Sequence, residues 1–196
     1  YHPAQLAPEA YEREVHRRFE LVFAIHPTSR GFCWVLFDRP GHLASWGMVD
    51  VNGDKNAGCL LRMEVLLRRH SPAVLVLEDV HCGRSRRSER VRILYRSMIR
   101  VAEEHEVAVR IYPRSAVGAC FGPARARTRQ EVAEAVALQV APLRHNVPPR
   151  RKLWSSEHRR LGLFQAAALA LTYFHQTETQ ATLLTPVFDG CAPILG

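Results

Sequence analysis

Short apolar runs alternate with chain breakers in the first third of the chain, and longer stretches of helical period follow. Leu21-Val22-Phe23-Ala24-Ile25 is an apolar run ended by His26-Pro27. Gly31–Phe37 is a second, rich in aromatic and β-branched residues, and Leu43–Val51 is a third, closed by Asn52-Gly53. Connections this short leave no room for a crossover, so the three strands must form an antiparallel meander. From Asp54 to about His70 the apolar positions Leu60, Met63 and Leu67 recur at helical spacing, with Asp54 placed to cap the start and Ser71-Pro72 to end it. Val74–Leu77 is continuously apolar, as in a strand covered on both faces, and terminates in Glu78-Asp79. A second helix is predicted from about Arg87 to Glu104, with Val91, Leu94, Met98 and Val101 as its inward stripe, and Val107–Tyr112 reads as a fifth strand. Thr128-Arg129-Gln130-Glu131 has the pattern of a capping box opening a helix through about Val140. Pro142 and Pro148-Pro149 mark a loop, and an Ala-rich helix spans roughly Ser156–His175. This order predicts an α/β domain built on a mixed five-stranded sheet, a meander plus two parallel strands, with helices on both faces.

With 196 residues, 47% of them hydrophobic, the chain can bury the core of one ordinary domain. The predicted organisation is a polar N-terminal arm over residues 1–18, the domain over 19–176 and a C-terminal tail over 177–196. No apolar run reaches the roughly 20 residues of a membrane span, so no transmembrane helix is expected. Five cysteines without a C-x-x-C pair predict a reduced, cytoplasmic chain.

Charge narrows the choice of partner. Against 19 Asp+Glu stand 27 Lys+Arg, for a formal net charge of +8 and a pI near 9.8. Lys55 and Lys152 are the only lysines, so the cations are almost all guanidinium groups, whose planar fork suits phosphate. They cluster. Arg84, Arg86, Arg87 and Arg90 follow Glu78 and lead into Arg92, Arg96 and Arg100, whose i, i+4, i+8 spacing makes a ridge opposite the apolar stripe. Ser85, Ser88 and the helix N-terminus would add donors for a phosphate. Arg125, Arg127 and Arg129 form a second cluster, and Arg150, Arg151 and Lys152 with Arg159 and Arg160 a third; Phe121 and Trp154 lie beside them as candidates to stack on unpaired bases. The alternative is a solvated charged face, or a surface that meets an acidic protein or anionic lipid. No helix-turn-helix, RNP or zinc-finger signature is present, so recognition by shape and backbone is expected.

Three segments at the ends of these elements resemble the RuvC-like Holliday-junction resolvase branch of the RNase H-like (polynucleotidyl transferase) superfamily. Ile25-His26-Pro27-Thr28-Ser29-Arg30 looks like its first-strand motif, apolar-Asp-Pro-Gly-Ser-Arg. Val76-Leu77-Glu78-Asp79 lies where that family has a strand ending in glutamate. Leu163-Phe164-Gln165-Ala166-Ala167-Ala168-Leu169 looks like its closing helix, in which aspartates precede an Ala-Leu-rich stretch. The resemblance covers about residues 20 to 175. It implies the RNase H-like fold, a homodimer on branched or otherwise structured DNA, with RNA not excluded, and an endonuclease in which clustered carboxylates hold two Mg²⁺ ions.

The chain departs from that pattern at the site itself. His26 stands at the first aspartate position, Gln165 and Ala168 stand on the closing helix, and of the carboxylates Glu78 is plainly kept. A rebuilt centre would draw catalytic groups from His26, Glu78 and Gln165, and metal ligands from His26, Glu78, Glu157 and His158. Such a set favours Mn²⁺, or less readily Zn²⁺, over Mg²⁺. His81 and Cys82 are near enough to join a zinc site with His26. The alternatives are a turn histidine, an ion pair between Glu78 and a nearby arginine, a satisfied polar Gln165, and a pseudo-nuclease that binds DNA, or serves as an assembly subunit, with no metal at all. The expected nucleic-acid contacts are Arg30, Arg84, Arg86, Arg87, Arg90, Arg92, Arg96, Arg127, Arg129, Arg151 and Lys152.

Overall fold

The computed structural model describes residues 21–80, 87–124, 126–150 and 158–184. Five strands, β1 (Val22–Pro27), β2 (Gly31–Arg39), β3 (His42–Asp50), β4 (Val74–Glu78) and β5 (Ala108–Tyr112), form one sheet in the order β3-β2-β1-β4-β5. β1, β2 and β3 pair antiparallel, while β4 pairs parallel with β1 and β5 parallel with β4, as the connection lengths require. Gly31 opens β2 because the turn brings its Cα against β3: a Cβ there would sit 2.0 Å from the carbonyl oxygen of Val49.

The period of two along β1 divides the core. Phe23 and Ile25 face helices α1 (Lys55–His70) and α2 (Glu89–Glu104), joined by Met63, Leu67, Leu94 and Met98. Val22 and Ala24 face the other layer, which holds α4 (Arg129–Gln139) and α5 (Leu161–Leu184). Ala166, Ala167, Ala168 and Ala170 of α5 are all fully buried. Small side chains on both surfaces let this helix lie close against the sheet. Asp54 caps α1 through the amides of Asn56 and Ala57, and Thr128 with Glu131 closes a complete capping box on α4.

Three segments differ from the sequence reading. A short helix α3 (Arg114–Cys120) follows β5; it buries no residue fully, so it leaves no apolar period to detect. The predicted Pro142 loop contains a 3₁₀ turn over Ala141–Asn146. The last helix begins at Leu161 and runs to Leu184, past the expected end near His175, with the hydroxyls of Thr177 and Thr179 bonded back to the carbonyls of Tyr173 and His175. No helix among the described residues is long and apolar enough to cross a membrane.

Candidate nucleic-acid cleft

The parallel register that sets Ala24 beside Val76 carries His26 and Glu78 to the same level at the ends of β1 and β4. His26 shares the sheet face of Val22 and Ala24 and is 5% exposed. The third member of the group comes from the chain just ahead of α2: Arg87 donates from Nη2 to Oε2 of Glu78 at 2.8 Å, and the same nitrogen lies 3.2 Å from Nε2 of His26. Nη1 of Arg87 reaches the carbonyl of Pro27 at 3.4 Å. One guanidinium thus ties together the ends of β1 and β4.

That geometry fixes the imidazole tautomer. A guanidinium only donates, so Nε2 of His26 accepts and the ring proton belongs on Nδ1. Nδ1 is buried and has no hydrogen-bond partner, the nearest carboxylate oxygen, Oε2 of Glu78, being 3.8 Å away. Burial, followed by the positive charges of Arg87, Arg129 and Arg114, holds the pKa of His26 well below the ordinary 6.5, so the ring is neutral. Gln165, one turn into α5, presents a buried amide nitrogen that is also without a partner.

These groups open onto a cleft of about 640 Å³ between the β1–β2 turn, the end of β3 and the start of α5. Its walls include Arg30, Arg87, Arg129 and Arg159, and among the described residues its one carboxylate is Asp50. Arg159 holds that carboxylate at 2.9 Å. Glu78 is not part of the wall; its charge is met by Arg87, which is. Two contacts shape the mouth. Arg90 spans from Oδ1 of Asn56 at 3.0 Å to the carbonyl of Thr28 at 3.4 Å, fastening the starts of α1 and α2 to the β1–β2 turn. Gly162 lets α5 begin against β2, where a Cβ would meet Sγ of Cys33 at 2.8 Å.

Of the expected site residues, the structure brings His26, Glu78 and Gln165 to one end of the sheet. His158 lies exposed at the cleft. Glu157, Arg84, Arg86, Arg151 and Lys152 lie outside the described residues, as do Trp154, His81 and Cys82. Arg30, Arg87 and Arg129 line the cleft. Arg90 is occupied in the lattice of bonds just described. Arg92 and Arg96 stand on the outer side of α2 beside Glu89, at 3.8 and 3.1 Å. Arg127 is exposed ahead of α4, its backbone amide donating to Glu131. Phe121, expected to stack on bases, is 1% exposed and packs in the core with α4 and α5, so it cannot reach a ligand. Asp50 and Arg114 were not anticipated; neither belongs to a motif, and only the tertiary fold brings them to this end of the sheet.

The donors do not fit the two-ion centre that the first-strand motif implies. Among the described residues no three of His, Cys, Asp and Glu gather where a metal could be held. Nε2 of His26 already accepts from a guanidinium, and the carboxylate of Glu78 is paired with the same group. Hard divalent cations need several anionic oxygens, and this site supplies guanidinium groups instead.

No family model matches the chain, and no curated protein matches it in sequence. Solved structures do. Thermus thermophilus RuvC superposes with a TM-score of 0.60 at 17% identity over 81% of this chain and 96% of that one. The T. thermophilus RuvC in complex with Holliday junction substrate gives 0.59 at 18% identity over the same shares. The yeast mitochondrial Holliday junction resolvase Ydc2 gives 0.51 at 14% identity over 90% of this chain and 93% of that one. The fold is therefore RNase H-like, in its RuvC-like form.

Proposed function

We propose that the chain binds branched or otherwise structured DNA in the arginine-lined cleft, reading backbone charge and shape in preference to base sequence. The observation that carries this reading is the composition of the cleft wall: among the described residues, four arginines and a single carboxylate that is already paired. It is supported by the solved complex of a RuvC of like fold with a Holliday junction substrate. A homodimer would set two such clefts on one junction.

A second reading, a divalent-metal-dependent endonuclease on the same substrates, is favoured by the convergence of His26, Glu78 and Gln165 at one end of the sheet. It requires Arg87 to release Glu78 and residues such as Glu157 to complete the ligand set.

One experiment separates the two. Labelled four-way junction, flayed duplex, single-stranded DNA and a matched RNA are offered to the protein in EDTA, Mg²⁺, Mn²⁺ or Zn²⁺, with Glu78→Ala beside it. Preferential binding of the branched forms in EDTA, without cleavage in any metal, is the expected result. Metal-dependent cleavage lost in Glu78→Ala would establish the second reading, and equal, weak binding to every nucleic acid would overturn both.

A further inference from the structure

The chemistry at the ends of β1 and β4 is inverted relative to a cation site. Two buried donors without partners belong to residues that line this end of the cleft. Nδ1 of His26 carries the ring proton and is buried without a partner; the amide nitrogen of Gln165 is buried without a partner as well. Arg87 and Arg129 add guanidinium donors on the cleft wall. The nearby acceptor, Glu78, is spent on Arg87 at 2.8 Å. Buried donors left unmatched cost stability unless something accepts from them, and buried polar groups in folded proteins are nearly always satisfied. The two residues that carry them line one cleft, together with two guanidinium groups. An acceptor with several oxygens and a negative charge meets all of these demands at once.

We propose that this end of the cleft is a phosphate site, in which His26, Gln165, Arg87 and Arg129 hold a phosphate oxyanion directly, with the Arg87 guanidinium joined to both His26 and Glu78. Glu78 then does not touch the ligand; it shares the Arg87 guanidinium with it, at 2.8 Å. The phosphodiester of DNA is the occupant if the reading of the previous subsection holds, and the proposal rests on that reading only for the owner of the phosphate.

The site can be tested apart from DNA. Isotope-labelled protein in EDTA is titrated with dimethyl phosphate, a diester, and with inorganic phosphate, while NMR follows the Arg87 and Arg129 side-chain N–H signals and the ring of His26. Saturable shifts at these groups are expected with the diester, and Arg87→Met and Gln165→Leu should each weaken binding by about tenfold. Gln165→Leu loses no internal bond of its amide nitrogen, so it carries the test even if Arg87→Met unfolds. Mn²⁺ added to the wild type, read by electron paramagnetic resonance, should remain free. Shifts spread evenly over surface arginines without saturation, or stoichiometric Mn²⁺ binding by the wild type, would overturn the proposal. Junction DNA bound in EDTA with an affinity indifferent to both substitutions would sink the phosphate site while sparing DNA binding. Phosphate captured at His26 by a protein that ignores DNA would do the reverse.

Discussion

Arg87 and Glu78 are joined by a 2.8 Å bond between side chains that are only 20% and 17% exposed. A cation therefore sits on the carboxylate at which the resembling family gathers metal ions, and it belongs to the chain itself. Arg87 then does two things at once. It neutralises Glu78 at the end of a strand that is otherwise wholly apolar, and it stands on the wall of the cleft.

Removing Glu78 should weaken the fold and leave DNA binding intact. Breaking one side of a largely buried pair leaves the other charge uncompensated, and Glu78→Gln is expected to cost about 2 kcal/mol. Thermal unfolding of Glu78→Gln, Arg87→Met and the double variant would measure the coupling, since the double variant should cost less than the two singles together. In the same Glu78→Gln protein, affinity for junction DNA in EDTA should hold or rise, because Arg87 has lost its internal competitor. A fall in affinity to the level of Arg87→Met would show that Glu78 itself is needed in the cleft.

Stability should decline as the pH drops below neutral. His26 has its pKa lowered by burial and then by Arg87, Arg129 and Arg114, and His70 has its own lowered by burial and then by Arg69. In the unfolded chain both take up a proton near 6.5, while the folded forms resist until lower pH. The unfolded state binds more protons across that window, so stability is full above 6.5 and is lost as pH falls towards the depressed values. Each group contributes a slope of at most about 1.4 kcal/mol per pH unit. Melting temperatures between about pH 8 and about pH 5 should fall, and His26→Gln should flatten part of that fall. A curve identical for wild type and His26→Gln would mean that the imidazole is not the group resisting protonation.

The sheet and the helices that cover it were legible because their signals are local. Val74–Leu77 must be a covered strand, and Asp54 and Thr128 announce the helices they cap. α3 escaped because none of its seven residues is buried, and the final helix outran its expected end because the polar stretch after His175 holds no Gly or Pro to stop it before Leu184. Chemistry was harder to read than fold. His26 and Glu78 could be singled out from motif position, and an ion pair between Glu78 and an arginine was a stated alternative. Which arginine, and that it would also cap His26, depends on how the chain ahead of α2 crosses the ends of β1 and β4. Phe121 was misjudged for the opposite reason: Arg127 in the same stretch is exposed, while the ring of Phe121 packs with α4 and α5.

Gly162 should be sensitive to a single methyl group. A Cβ at that position would lie 2.8 Å from Sγ of Cys33 and 3.1 Å from Cγ2 of Thr28, and Cys33 is 3% exposed, with little room to turn away. Gly162→Ala is expected to cost about 1–2 kcal/mol by overpacking. Because α5 carries Gln165 one turn later, the same change should also loosen DNA binding. Cys33→Ala removes the obstructing sulfur, so the double variant should recover most of both losses. An unchanged melting temperature for Gly162→Ala would mean that α5 can slide on the sheet without cost.

Cleft and ridge arginines should separate in their salt dependence. Each phosphate neutralised by a protein cation contributes about 0.9 to the slope of log affinity against log salt. Arg87 and Arg129 line the cleft, whereas Arg92 and Arg96 stand on the outer face of α2 within reach of Glu89. A phosphate in the concave cleft meets several guanidinium groups at once, whereas one on the outer face of α2 meets the ridge alone, with Glu89 beside it. Arg129→Gln is therefore expected to lower the slope for junction DNA by about one unit, with a matching loss of affinity at fixed salt. Arg92→Gln with Arg96→Gln should lower it by less than that in total, although two charges are removed. Fluorescence anisotropy across a salt series would measure both. A larger drop from the ridge pair than from Arg129 would move the principal DNA contact out of the cleft and onto the outer face of α2, and the phosphate site at His26 would then have no duplex or junction backbone to serve.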